Sequence, residues 1–170
     1  MGMVRDSFNN WLRKTKVMTK NLSRGMGLAW PYYDPGEIKF MRGIRKVEEE
    51  KRDGLYGSSV LRSKVIALNP KVLRRDGLMW ATSALHEAEH GINGTDEGPA
   101  TTREFNFLGK VYKDCMRRRD RSGATKAMKA AIIAMRQRKR MCEPKVKKDD
   151  HNLLTRYGFS DKAASTIMEA

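Results

Sequence analysis

Cysteine is nearly absent from this chain. Its two residues, Cys115 and Cys142, are too few for a disulfide framework and too far apart for a CxxC metal knuckle, so both read as reduced thiols. Also missing is any run approaching 18 apolar residues, which excludes a membrane-spanning helix. The opening segment MGMVRDSFNNWLRKTK lacks the uninterrupted apolar stretch of a secretory signal, and Asp6 stands where a myristoylation site wants Ser or Thr. The expected location is therefore cytoplasmic, or a virion if the chain is phage-encoded, with no membrane partner. There is no internal repeat. At 170 residues the chain is long enough for a real core, although its apolar fraction of 39% is low and its charged fraction of 32% high.

The net charge of +15 is unevenly spread. Residues 1–25 carry six Lys/Arg against one acid, residues 26–109 carry twelve of each, residues 110–148 carry fifteen against three, and residues 149–170 carry two against four. A neutral middle flanked by basic blocks fits a catalytic core with polyanion-binding ends. Arg117, Arg118 and Arg119 form one cluster, and Arg136, Arg138, Lys139 and Arg140 another. Both are candidate contacts to nucleic acid or another polyanion, since +12 over residues 110–148 exceeds what solubility asks for. The plainer reading is a solvated face.

Periodicity predicts a mostly helical α+β chain. An amphipathic helix is expected over residues 7–22, capped by Ser7 and packed through Phe8, Trp11, Leu12 and Met18. Pro31, Pro35 and Gly36 mark a loop. A charged helix over 38–50, a turn at Asp53-Gly54 and a strand over 58–69 follow. Further helices are expected at 79–92, 99–118, 124–137, 149–157 and 160–169, with Pro99 in a favoured first turn and Ser160 as a cap. The domain is expected to span residues 1–140, with a linker and helical tail over 141–170.

Within the helix over 79–92 the segment LHEAEHGI places His86 and His90 four residues apart with Glu87 after the first, an HExxH pattern. Residues four apart share a helix face, so both imidazoles can reach one ion while Glu87 stands beside it. Ala81, Ala84, Leu85, Ala88 and Ile92 form an apolar stripe on roughly the opposite side. Gly91 and the stretch through Gly94 offer a stop. The competing reading is a packed helix whose histidines only hydrogen-bond to neighbours.

The order VIALNPKVL and then ATSALHEAEH resembles the small minimal zincin metallopeptidases, including SprT-like proteins, over about residues 58–112. That resemblance implies a small sheet packed on the HExxH helix, a basic helical C-terminal extension, and a zinc-dependent endopeptidase acting on protein. His86 and His90 would ligate Zn2+ and Glu87 would serve as general base. The strand at 60–68 would be the edge that receives substrate. A third ligand is needed. Glu104 is the first choice, fourteen residues past His90 where gluzincins place a glutamate, and Asp96 the second, at the metzincin spacing; Glu97 and His151 rank lower. Glu89 departs from the usual uncharged residue before the second His, and no SprT-type third histidine follows the motif closely. Tyr32, Tyr33, Tyr112 and Tyr157 are open candidates for an oxyanion-stabilising hydroxyl. The rival function is a basic nucleic-acid-binding or phage-type assembly protein on an inactive zincin scaffold; a toxin or effector role also stays open, as does the oligomeric state.

Overall fold

Gly, Pro and Asp residues set most of the element boundaries in the computed structural model, which describes residues 29–141 and 148–170 except positions 34, 61, 74, 75, 95 and 96. The expected N-terminal helix over 7–22, Cys142 and Asp96 lie outside those residues. The chain is α+β and mostly helical. It divides into two compact units that meet in the sequence between residues 96 and 97.

The first unit begins with a 3-10 turn at Trp30–Tyr32 and helix α1 at Pro35–Met41. Strands β1 (Lys46–Glu49), β2 (Gly57–Val60) and β3 (Val65–Leu68) follow. A short helix α2 (Pro70–Leu73) leads into α3 (Gly77–Asn93), which carries the HExxH residues. Strand order is β1-β3-β2, so β3 is central, parallel to β1 and antiparallel to β2. Glu49 and Gly57 both stand opposite Leu68.

Two expectations are corrected here. The charged helix expected over 38–50 ends at Met41; Gly43 follows, and Lys46–Glu49 is drawn into the sheet by pairing with β3. Such a long-range ladder outweighs the modest helical preference of Lys and Glu and has no local signal. The strand expected over 58–69 is a hairpin. Residues 62 and 64 adopt positive φ (59° and 57°), and the Ser63 hydroxyl donates to the Val60 carbonyl at 2.6 Å while accepting from the Val65 amide at 3.1 Å. A side chain that bonds its own backbone in this way favours a turn over continued strand. In consequence the strand immediately before the HExxH helix is the sheet's centre, and the edges are β1 and β2.

Helix α3 starts where Asp76 accepts from the amides of Leu78 (3.0 Å) and Met79 (3.2 Å), satisfying two of the donors a helix start leaves open. It ends at Gly94, whose amide donates to the His90 carbonyl at 3.2 Å with φ at 131°. Ile66 and Leu68 alternate into the core from β3, and the sheet packs on α3 through β2 and β3. Trp80 and Leu85, almost wholly buried with these two, each contribute roughly 1.5–3 kcal/mol. Tyr33 donates its hydroxyl to the Ala81 carbonyl at 3.3 Å and pins the first turn to α3.

The second unit is helical: α4 (Glu97–Arg117), α5 (Arg121–Met141), α6 (Lys148–Tyr157) and α7 (Asp161–Glu169). A three-residue connection between α4 and α5 makes them an antiparallel pair. Their turn is a Schellman stop: the Asp120 amide reaches the Cys115 carbonyl (2.8 Å), the Arg119 amide reaches that of Met116 (3.1 Å), and Arg119 takes φ 61° where glycine is usual. Small buried residues, Ala124, Ala127, Ala131 and Ala134, line one side of α5. Gly109 of α4 lies against α6 so closely that a Cβ would meet the Tyr157 carbonyl oxygen at 2.4 Å. Among the described residues no helix is long and apolar enough to cross a membrane.

Candidate metal centre

Every residue of α3 from Trp80 to Gly91 is buried, so the face bearing the motif is enclosed as well as the apolar face behind it. On that face the i, i+4 spacing brings the rings together as expected. The Nε2 atoms of His86 and His90 are 2.9 Å apart, with ring centroids 4.6 Å apart and planes at 78°. His90 is oriented through its other nitrogen: Nδ1 lies 3.0 Å from the Gly94 carbonyl. With Nδ1–H donating there, the Nε2 lone pair of His90 is directed at His86, the arrangement in which a backbone carbonyl fixes the tautomer of a metal-ligating histidine. The cap of α3 thus has two functions, ending the helix and aiming a ring.

One imidazole nitrogen from each histidine and a carboxylate oxygen of Glu97, the first residue of α4, lie within 4.8 Å of one another. Two nitrogens and one carboxylate form a donor set suited to zinc. Imidazole nitrogens bound to one tetrahedral zinc at about 2.0–2.1 Å stand about 3.3 Å apart, so the observed pair needs to open by only a few tenths of an ångström. The residues therefore fit the ion. Glu104, two turns further along α4, is buried but is not a member of this group. Asp96 lies outside the described residues, and the His151 Nε2 is 3.3 Å from the Ser165 hydroxyl in the second unit.

Glu87 is 7% exposed and packs under the edge strand; a Cβ on Gly57 of β2 would stand 2.8 Å from its Cγ and 3.0 Å from its Oε1. Only glycine leaves room for the carboxylate there. Arg52 adds a positive field at Glu87. Arg52 is itself anchored by Glu50, which accepts from its Nη2 (2.7 Å), Nε (3.0 Å) and amide (2.9 Å) and from the Ser58 hydroxyl. The Arg52 guanidinium, then Ser58, hold the Glu50 carboxyl far below the usual carboxylate range, while Glu50 raises Arg52 above its ordinary value. Sequence reading missed Gly57, Glu50 and Arg52. The signal for Gly57 was a glycine flanking a strand, which also marks close backbone approach.

Glu89, the departure from the zincin pattern, accepts from the Asn93 side-chain amide at 2.7 Å, a bond within one helical turn. Of the candidate tyrosine hydroxyls, that of Tyr33 is engaged at the Ala81 carbonyl, and that of Tyr112 lies 3.1 Å from the Ser160 hydroxyl.

The basic clusters sort into two sets. Arg138 donates to the Gly98 carbonyl (3.2 Å), the Thr101 hydroxyl (2.9 Å) and Asp150 (3.0 Å), and Lys139 to the Met168 carbonyl (2.7 Å). Arg117 and Arg118 pair with Asp114 at 2.6 and 3.0 Å. Arg119, Arg136 and Arg140 are exposed, Arg136 making one long contact of 3.4 Å to the Ala170 carbonyl.

No family model, curated protein or solved structure matches the chain. The zincin resemblance therefore rests on the motif and its geometry.

Proposed function

We propose that the chain is a zinc-dependent metallopeptidase, with His86, His90 and Glu97 holding the ion and Glu87 acting as general base. The observation that carries this reading is the convergence of two imidazole Nε2 atoms, 2.9 Å apart, with a carboxylate oxygen within ligand reach. When bound, zinc supplies Lewis acidity toward a carbonyl and lowers the pKa of a water to near 7. Glu87 then takes the proton from the attacking water on its carboxylate oxygen and delivers it to the leaving amine. Burial beneath β2 restricts that carboxylate to one position. Gly94 keeps the His90 lone pair directed inward.

The choice of Glu97 over Glu104 follows the ligand-atom distances among the described residues. The test begins with elemental analysis of the purified chain, in which one zinc per molecule is expected. His86→Ala should lose the metal. Glu87→Gln should keep it while hydrolysis of an unfolded protein substrate falls by about 10²–10⁴-fold. Glu97→Gln should weaken zinc retention, whereas Glu104→Gln should leave it intact. A chain without stoichiometric zinc ends the reading.

A further inference from the structure

Helix α5 contains seven Lys/Arg residues and no carboxylate along its 21 residues. Its fold separates them. At 100° per residue Lys126, Lys129, Arg136 and Arg140 fall within an arc of about 80°, and all four are exposed. Ala124, Ala127, Ala131 and Ala134 occupy the opposite, buried side, and Arg138 lies in line with them, its guanidinium committed to Thr101 and Asp150. The solvent side of α5 is thus a row of four cations covering about 21 Å of helix axis. Lys126 with Lys129 and Arg136 with Arg140 are like-charge neighbours on one face, unfavourable to the isolated helix. A polyanion laid along the row turns each of those repulsions into a shared attraction.

We infer that this face of α5 binds the phosphate backbone of a nucleic-acid duplex, without sequence preference. A membrane surface fits less well: Leu55, Val60 and Met116 are the exposed large hydrophobic residues among those described, none is on α5, and the one apolar residue within the arc, Ile133, is half-buried. A single strand fits less well because α5 carries no aromatic residue on which bases could stack. An acidic protein would be expected to meet a larger apolar anchor within the charged patch than the half-buried Ile133 provides. Long, flexible cations spread along a rod suit the repeating charge of a duplex, whose phosphates recur every 3.4 Å per strand, because each cation can reach a nearby phosphate. The inference is independent of the metal site.

The test is fluorescence anisotropy of the full chain with labelled 24-base-pair duplexes of two unrelated sequences, from 50 to 200 mM NaCl. Both duplexes should bind alike, and affinity should fall by a hundredfold or more across that range. Replacing Lys126, Lys129, Arg136 and Arg140 together by Gln should lower duplex affinity more than tenfold at 100 mM salt. It should also make the slope of log K against log salt shallower by about 3–4, since each phosphate contact contributes about 0.9. If the fourfold variant lacks the wild-type circular dichroism, the Arg136→Gln, Arg140→Gln pair replaces it, with a slope change of about 2. A folded variant with unchanged duplex affinity and slope overturns the inference. So does tighter binding of a single strand of the same length, of phosphatidylserine vesicles or of polyglutamate than of duplex.

Discussion

Helices α3 and α5 are both long and both rich in ionisable groups, yet they dispose of them in opposite ways. In α3, His86, Glu87, Glu89 and His90 are buried, and each is held by a particular partner or a particular space: the His90 ring, the cleft at Gly57, the Asn93 amide and the Gly94 carbonyl, respectively. In α5 most of the charges lie on the solvent side, and Arg138 and Lys139 are the ones built into the fold. Burial makes a polar group costly unless it is satisfied, so position is tightly specified in α3 and loosely specified in α5. Substitutions should therefore have very different consequences in the two helices and their surroundings.

The largest effect is expected where α3 meets the edge strand. Gly57→Val forces a side chain into the Ala67 carbonyl and the Glu87 stem, and neither a backbone oxygen nor a buried carboxylate can readily yield. A loss of about 3 kcal/mol in urea unfolding is expected, together with loss of hydrolysis. A variant as stable as wild type would show that Glu87 is not confined by β2.

Next comes the exception within α5. Arg138→Ala leaves Asp150, 8% exposed, without its guanidinium and should cost about 2–3 kcal/mol. Arg136→Ala, two residues earlier on the exposed side, should stay within about 0.5 kcal/mol. Equal costs for the two would erase the division of α5 into structural and solvent-facing cations.

A smaller effect is expected from acid acting on the sheet of the first unit. Glu50 is held well below the usual carboxylate range, first by Arg52 and then by Ser58. Its contribution to stability is complete above the unfolded-state value of about 4.3 and is lost as pH falls below it toward the folded-state value. Denaturation midpoints measured from pH 6 down to 2 should decline below about pH 4 in the wild type and decline less steeply in Glu50→Gln. Identical profiles for the two proteins would remove Glu50 as an anchor of the sheet.

The smallest change should be a gain. Arg119 occupies the left-handed C′ position of the Schellman stop after α4, and Arg119→Gly should stabilise the chain by up to about 1 kcal/mol in urea unfolding. No gain would mean that Arg119 makes compensating contacts.

How much of this was readable beforehand depends on where the information sits. The helix containing His86 and His90 was legible because its apolar spacing, the Gly94 stop and the i, i+4 histidines are local properties of one segment. The same holds for α4 to α7, whose spans differ from the expected ones by three residues or fewer at most ends. Arg138 could also have been found. It continues the 124, 127, 131, 134 series by four, so helical spacing alone places it on the buried side; reading the cations as one cluster hid this. Strand β1 and the division of residues 57–68 into a hairpin were not legible, because their stability comes from ladders to residues about twenty positions away or from a turn set by one hydroxyl.

By itself, then, the sequence determined the helices, the pairing of two imidazoles on one helical face and the concentration of positive charge toward the C-terminal half. These follow from rise, period and composition, which act over a turn or two. Tertiary structure alone decided that Glu97 stands among the ligand atoms, that Gly57 confines Glu87, and which arginines are committed to the fold. Those outcomes depend on distances between segments remote in sequence, and such distances are fixed only when packing and long-range hydrogen bonds select one arrangement of the elements.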